Sequence, residues 1–239
     1  YNRVGNMDIV ANEIAKLVPE AVVAFAHGQM NERELERTMF RFVEGEIDVL
    51  VATTIVETGL DIPNVTLVGV VFADSTLFHS DFRSSERTFQ LLTQVAGRAG
   101  RADKEGRVVI QTNAPGHRAI RLCTKHDYKT FYNLEIGDRL RTLFPPFAVF
   151  VRAQFACADE NAAADAAERF ANGVTKTILT ALKPANAENE LVFALAGAAP
   201  IRRREGLFRY AVIIKLVRTA NTAAAINAIY AFSDGCADE

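Results

Sequence analysis

A parallel α/β sheet with helices on both faces, followed by a smaller α+β domain, is the architecture this sequence predicts. Three observations carry it. Up to about Gln111, helical apolar spacings alternate with short β-branched runs, the pattern of βαβ units and a parallel sheet. Beyond "LFPPF" (143–147) the order changes to strand, helix, strand, strand, helix. The composition, 49% hydrophobic and 23% charged over 239 residues, is that of a folded globular chain and not of a disordered one.

Element by element, "IVANEIAKLV" (9–18) has helical spacing and "AVVAFA" (21–26) has the length of a strand. "ERELERTMFRFV" (32–43) is helical again, and "IDVLVA" (47–52) and "VTLVGVVFA" (65–73) are β-branched strands bounded by Gly, Pro and Asn. "SERTFQLLTQVAG" (85–97) is a helix and "GRVVIQT" (106–112) a further strand. Residues 117–143 hold one or two helices. Pro145 restricts the residue before it, and both prolines of "LFPPF" lack an N–H, so the chain breaks there. The second domain reads as a strand at 148–156, an alanine-rich helix at 160–183, strands near 191–196 and 208–217, and a helix at 221–232. That order is most of a ferredoxin-like split βαβ unit. The assignment is therefore a first domain over 1–115, a helical connector over 116–146 and a C-terminal α/β domain over 147–239.

The bulk numbers narrow the function classes. No apolar run reaches the ~20 residues of a membrane span, and no signal peptide opens the chain. The chain begins at Tyr1 and not at methionine, which reads as a piece continued upstream. Net charge is −2 from 27 basic and 29 acidic residues, less basic than many dedicated nucleic-acid modules but compatible with local phosphate contacts. Cys123, Cys157 and Cys236 form no CxxC pair, so neither a zinc site nor a disulfide framework is expected, and a reducing cytoplasm is the simplest setting.

In parallel sheets the working residues gather on loops beyond the carboxyl ends of the strands. Two segments there attract attention. "QVAGRAGR" (94–101) sets Arg98 and Arg101 three apart, each behind a glycine; two guanidiniums aimed at one point suit a polyphosphate. "TTIVETGLDIPN" (53–64) offers the Thr53 hydroxyl, a flexible Gly59 and the Asp61 carboxylate. Taken singly, the first also fits a solvated basic turn and the second an ordinary strand exit.

Taken together they resemble the second RecA-like lobe of superfamily 2 helicases and translocases. "TTIVETGLDIP" is similar to helicase motif V, "QVAGRAGR" to motif VI, and "AHGQMNERELERTMFRFVEGEIDVLVATT" to the stretch leading into motif V. Up to Asn64 the chain is most similar to the transcription-repair coupling factors and RecG. From Val65 onward, "VTLVGVVFAD…DFRSSERTFQLLTQVAGRAGR…GRVVIQTNAPGH", "HDYKTFY" and "PPF" resemble the PriA family of primosomal replication-restart helicases, a likeness that extends through "GAAPIRRREGLFRY". The second resemblance is longer and is the one followed.

That resemblance implies Arg101 as an arginine finger on the γ-phosphate with Arg98 as its partner, and Gln94, Gly59 and Asp61 on the nucleotide side of the cleft. It implies that Thr53 and the His27–Gly28 loop face the phosphate backbone of the tracked DNA strand. Arg83 and Arg87 in "DFRSSER" become DNA or interlobe contacts, and Arg202, Arg203 and Arg204 contacts to the DNA backbone. Bland readings stay open for each: a surface histidine at a strand end, a solvated helix start, a surface turn between strands. The resemblance also implies ATP and Mg²⁺, 3′-to-5′ movement at branched or stalled forks, single-stranded-DNA-binding and primosome proteins as partners, and a bacterial, cytoplasmic, nucleoid-associated setting.

Two departures qualify it. The zinc-binding, cysteine-rich insertion that PriA proteins carry upstream of motif V has no counterpart in this stretch, so zinc is not carried over. No Gly-Lys dipeptide occurs, so GxxxxGK[ST] is absent, and neither Asp-Glu pair continues as DExH. The phosphate cradle and metal-holding carboxylates are expected on an upstream lobe, and the chain alone is expected to be inactive. The rival readings are a double-stranded DNA translocase of the coupling-factor or RecG type, and a non-catalytic DNA-binding module with a helicase-lobe fold.

Overall fold

The computed structural model describes residues 7–53, 65–79, 81–97, 99, 106–182 and 190–236. It divides into two units, residues 1–135 and 136–239. The division falls inside a helix that the sequence places in the connector.

In the first unit, α1 (Met7–Leu17) leads into β1 (Val23–Ala26), α2 (Glu32–Val43) and β2 (Val49–Ala52). β1 and β2 pair in parallel from Val23↔Val49 to Ala26↔Ala52. Asp48 fixes the start of the pair, because its carboxylate accepts from the Val22 N–H at 2.8 Å while its own N–H donates to the Val22 carbonyl at 2.9 Å. Side chains alternate between the faces of a strand. Val23 and Val51 pack with Met7 and Ala11 of α1, whereas Ala26 and Leu50 pack with Met39 and Leu35 of α2. This pair therefore carries a helix on each face, as the alternating sequence pattern requires.

The ends of α2 show why that helix forms where it does. Asn31 caps it, its side-chain oxygen accepting from the Arg33 N–H at 3.0 Å, and Glu32 and Glu34 in the first turn complement the helix dipole. At the other end Gly45 takes φ +78°, and Gly45 N donates to Phe42 O (3.2 Å) and Glu46 N to Arg41 O (2.9 Å). Those two bonds make a Schellman stop, for which glycine is the favoured residue.

β3 (Leu67–Val70) pairs in parallel with β4 (Arg107–Ile110), joined through α3 (Asp74–Leu77) and α4 (Ser84–Ala96). Val70 and Ile110 pack on a core of Phe89 and Leu92 from α4, Ile120 and Leu122 from α5 (Arg118–Cys123), and Phe131 from α6 (Tyr128–Thr142). The Phe89 and Phe131 rings stack with centroids 4.3 Å apart.

The second unit is an antiparallel sheet in the order β5-β7-β6, with β5 over Ala148–Cys157, β6 over Leu191–Arg204 and β7 over Leu207–Val217. α7 (Glu160–Ala181) crosses over between β5 and β6, and α8 (Thr222–Cys236) follows β7. A strand inserted between the two that a helix joins is the ferredoxin-like arrangement the element order predicts. Phe170, Val174 and Ile178 of α7 and Ile229 of α8 bury against Val212, Ile214 and Leu216 on one face of the sheet. On the other face the Lys215 ammonium lies within 5.7 Å of the ring centroids of Phe144, Phe150 and Phe193 and donates to the Thr142 carbonyl at 2.8 Å. That carbonyl is one of the unsatisfied groups at the end of α6, so the buried cation and the helix end complete each other.

β6 runs on to Arg204, past the residue 196 at which the sequence reading ended it. Pro200 has no N–H to give, and the register with β7 shifts between Ala198 and Arg203. An edge strand tolerates both, which is why the strand survives a breaker. The turn that closes the hairpin, Glu205-Gly206, has φ of +54° and +82°, the left-handed pair of a tight two-residue hairpin loop.

Gly173 of α7 lies against Phe232 of α8, where an added Cβ would stand 2.3 Å from Phe232 Cζ. Gly173→Ala is expected to destabilise the second unit by about 1–2 kcal/mol, because overpacking outweighs the ~1 kcal/mol gained in helix propensity. A urea titration measures it, and Phe232→Leu in the same chain should recover most of the loss.

Candidate functional site

His27 and Thr53 each follow the last registered pair of β1 and β2, Ala26↔Ala52, and the Thr53 N–H donates to the Ala26 carbonyl at 3.3 Å. His27 opens a tight turn: its Nδ1 accepts from the Gln29 N–H at 3.3 Å, and its carbonyl accepts from the Met30 N–H at 3.1 Å. Its ring lies nearly parallel to that of Phe25, with centroids 6.0 Å apart. Gly28 is exposed at the tip. The Thr53 Oγ1 is buried and, among the described residues, has no hydrogen-bond partner. An unpaired buried hydroxyl costs about 1–3 kcal/mol, so this strand end holds a donor suited to an incoming acceptor such as a phosphate oxygen.

The carboxyl ends of β3 and β4 are tied by Asp74. Its carboxylate accepts from Thr112 Oγ1 and from the Asn113 N–H, both at 2.8 Å. The Asn113 N–H, then the Thr112 hydroxyl, hold the Asp74 carboxyl below the usual carboxylate range.

Seven residues on, Asp81 gathers two of the expected contact residues. Its Oδ1 accepts from the Arg83 backbone N–H (2.9 Å) and Nε (3.2 Å), and its Oδ2 from Arg83 Nη2 (3.1 Å) and Arg87 Nη1 (3.0 Å). The Arg83 side chain foremost, and Arg87 to a lesser degree, hold the Asp81 carboxyl down to about 2. Ser84 is buried beneath this turn, its hydroxyl donating to the carbonyls of His79 (2.5 Å) and Asp81 (2.6 Å).

Along α4 the buried residues Ser84, Thr88, Phe89 and Leu92 face the core. Arg83, Arg87, Gln90 and Gln94 are exposed, and their spacing of four, three and four puts them on the opposite face. The structure thus aligns Arg83 and Arg87 with Gln94 on one polar stripe, and the helix ends at Gly97, at the threshold of the expected finger. Asp81, Asp74 and Gln90 did not emerge from the sequence. Asp81 had a signal, an acid two residues before an arginine at a helix start, but the sequence pattern singles out only the arginines of "DFRSSER".

In the second unit the arginine run occupies the β6–β7 hairpin, and its members differ. Arg202 Nε donates to Glu160 Oε1 at 2.6 Å, and Arg202 also forms an ion pair with Glu160 through Nη2. Arg204 pairs with Glu205 at 3.1 Å. Arg203 lies over the Phe208 ring, 4.8 Å from its centroid, its cross-strand partner in the register. Gly59, Asp61, Arg98 and Arg101 lie outside the described residues. Among the described residues no group of three His, Cys, Asp or Glu is placed to hold a metal ion, and no helix is long and apolar enough to cross a membrane.

Residues 2–103, most of the first unit, match the family model of the helicase conserved C-terminal domain. Over most of its length the chain is similar to the replication restart protein PriA. It is 38% identical to that of Bacillus subtilis over 92% of this chain and 26% of the relative, and 36% identical to that of Treponema pallidum over 79% of this chain and 28% of the relative. The transcription-repair-coupling factor of Bacillus subtilis is 48% identical over 44% of this chain and 8% of its own length. Both resemblances read from the motifs are therefore present. The chain spans about a quarter of the length of the PriA relatives it matches.

Proposed function

We propose that this chain is the second motor lobe and C-terminal domain of an ATP-dependent DNA helicase that moves 3′ to 5′ and restarts replication at stalled or branched forks. The observation that carries the proposal is the run of identity to PriA over 92% of the chain, which passes through both units. An upstream lobe holds ATP and Mg²⁺, and Gln94, Gly59 and Asp61 meet the nucleotide from this side. Arg101, partnered by Arg98, reaches the γ-phosphate as the lobes close. Thr53, His27 and Gly28 hold the tracked strand at the ends of β1 and β2. Arg83 and Arg87 at the head of α4, and Arg202, Arg203 and Arg204 on the hairpin, add backbone contacts. Single-stranded-DNA-binding and primosome proteins are its partners in a bacterial cytoplasm.

The test compares this chain alone with the same chain joined to its upstream lobe. Alone it should show no DNA-stimulated ATP hydrolysis; joined, it should hydrolyse ATP and unwind forks that present a 3′ single strand to the motor. The 48% identity to the coupling factor favours a second reading, a translocase on intact duplex. That reading expects displacement of a third strand from triplex DNA without separation of the duplex. ATP turnover by the isolated chain would sink both.

A further inference from the structure

We propose that Asp81 is a positioning residue that presets Arg83 and Arg87 as a two-guanidinium clamp for a DNA phosphodiester. The inference rests on the reading of those arginines as DNA contacts and assigns the group that makes the contact effective. Three features of the geometry support it.

The backbone that carries the carboxylate is fixed. Ser84 N donates to the Asp81 carbonyl at 3.0 Å, the buried Ser84 hydroxyl donates to the same carbonyl, and Thr88 Oγ1 donates to the Ser84 carbonyl at 2.8 Å. The turn is thereby bonded into the first turns of α4. Second, both arginines converge on this one carboxylate, and each keeps donors not drawn to it. Arg83 uses Nε and Nη2, and Arg87 uses Nη1. Third, the cations stand outside the anion: the Arg83 and Arg87 side chains are each 48% exposed and Asp81 only 18%. A phosphate arriving from solvent meets guanidinium before carboxylate. The Arg83 guanidinium also lies 5.3 Å from the Phe82 ring centroid, a further restraint on its position.

Two opposing effects decide what Asp81 does for binding. Its negative charge repels a phosphate ~7 Å away, a penalty of about twofold in affinity at moderate salt for exposed groups. Against this, a free arginine must be ordered before it can grip, and for two side chains that cost is roughly fivefold to a hundredfold in affinity. Preorganisation therefore outweighs repulsion. The sign is the opposite of simple charge counting, by which deleting an acid tightens DNA binding.

The test measures binding of fluorescently labelled forked DNA to this chain by anisotropy, from 50 to 200 mM salt. Arg83→Ala with Arg87→Ala should weaken binding about tenfold and reduce the slope of log affinity against log salt by roughly one to two, as phosphate contacts are lost. Asp81→Asn should weaken binding about fivefold with the slope unchanged, since both cations remain and only their ordering is lost. Asp81→Glu, which keeps the charge on a longer stem, should recover part of the loss. Binding by Asp81→Asn that equals or exceeds the parent overturns the positioning role and leaves the arginines as DNA contacts. An unchanged affinity in the double arginine variant overturns the DNA reading itself and the clamp with it. Should Asp81→Asn lose cooperative unfolding, Asp81→Glu carries the comparison: weaker binding at an unchanged slope supports the clamp, and equal or tighter binding overturns it.

Discussion

Replacing Arg101 with alanine, in a protein that joins this chain to its upstream lobe, is expected to lower DNA-stimulated ATP turnover about a thousandfold or more. As the bond to the leaving phosphate breaks, negative charge shifts onto the leaving oxygen in a loose transition state, so a finger that meets that redistribution acts on kcat and leaves the KM for ATP nearly unchanged. Arg101→Lys should rescue little, because an ammonium lacks the planar fork that spans two phosphate oxygens. Arg98→Ala should fall in the same direction by a smaller factor. α4 carries the polar stripe Arg83, Arg87, Gln90 and Gln94 and is capped at Gly97, four residues before Arg101 in the sequence. Steady-state kinetics with saturating single-stranded DNA separates kcat from KM. A loss smaller than tenfold in kcat would remove Arg101 from the reacting phosphate.

Most elements were legible because their apolar spacing is dictated by what they pack on. α2 covers Glu32–Val43, the very span its helical spacing gave, since Met39 and Leu35 must meet Ala26 and Leu50. The β5-β7-β6 order was implicit in the succession strand, helix, strand, strand, helix, because a crossover helix leaves room for the third strand between the first two. Where the reading fell short, the cause was non-local. The full length of β6 depends on its edge position, which no local pattern reveals around Pro200. Arg202 and its carboxylate Glu160 are 42 residues apart, so the arginine run looked uniform although each member has a different partner. Gln94 was named from its motif and sits on the exposed face of α4; Asp81 required the fold of the turn.

The largest stability effect is expected at Glu135, a carboxylate buried in a helix whose sequence has no clear apolar face. Its side chain is 10% exposed, and it accepts from Arg118 Nη2 at 2.8 Å, joining α6 to α5 across the core of the first unit. Glu135→Ala is expected to destabilise that unit by about 3 kcal/mol, because it takes a carboxylate away from a guanidinium only 28% exposed. Replacing both partners, Glu135→Met with Arg118→Met, should cost far less, since neither charge is then left desolvated. The pair also bears on pH. His117 caps α5, its Nδ1 accepting from the Ala119 N–H at 3.2 Å, so the cap requires an unprotonated imidazole nitrogen. Burial, and then the neighbouring Arg118 charge, push the His117 imidazole below its ordinary value, and Glu135 opposes them. The unfolded chain therefore takes up the proton first, near pH 6.5, and the stability held above that pH is lost as pH falls towards the lower folded-state value. Without Glu135 the folded-state value drops further, so the decline should extend to lower pH in Glu135→Ala than in the parent. Urea unfolding followed from pH 7.5 down to 5 measures both. A parent curve that stays flat through that range would show that His117 does not act as the cap; an alanine variant as stable as the parent at pH 7.5 would show that the ion pair does not hold α5 to α6.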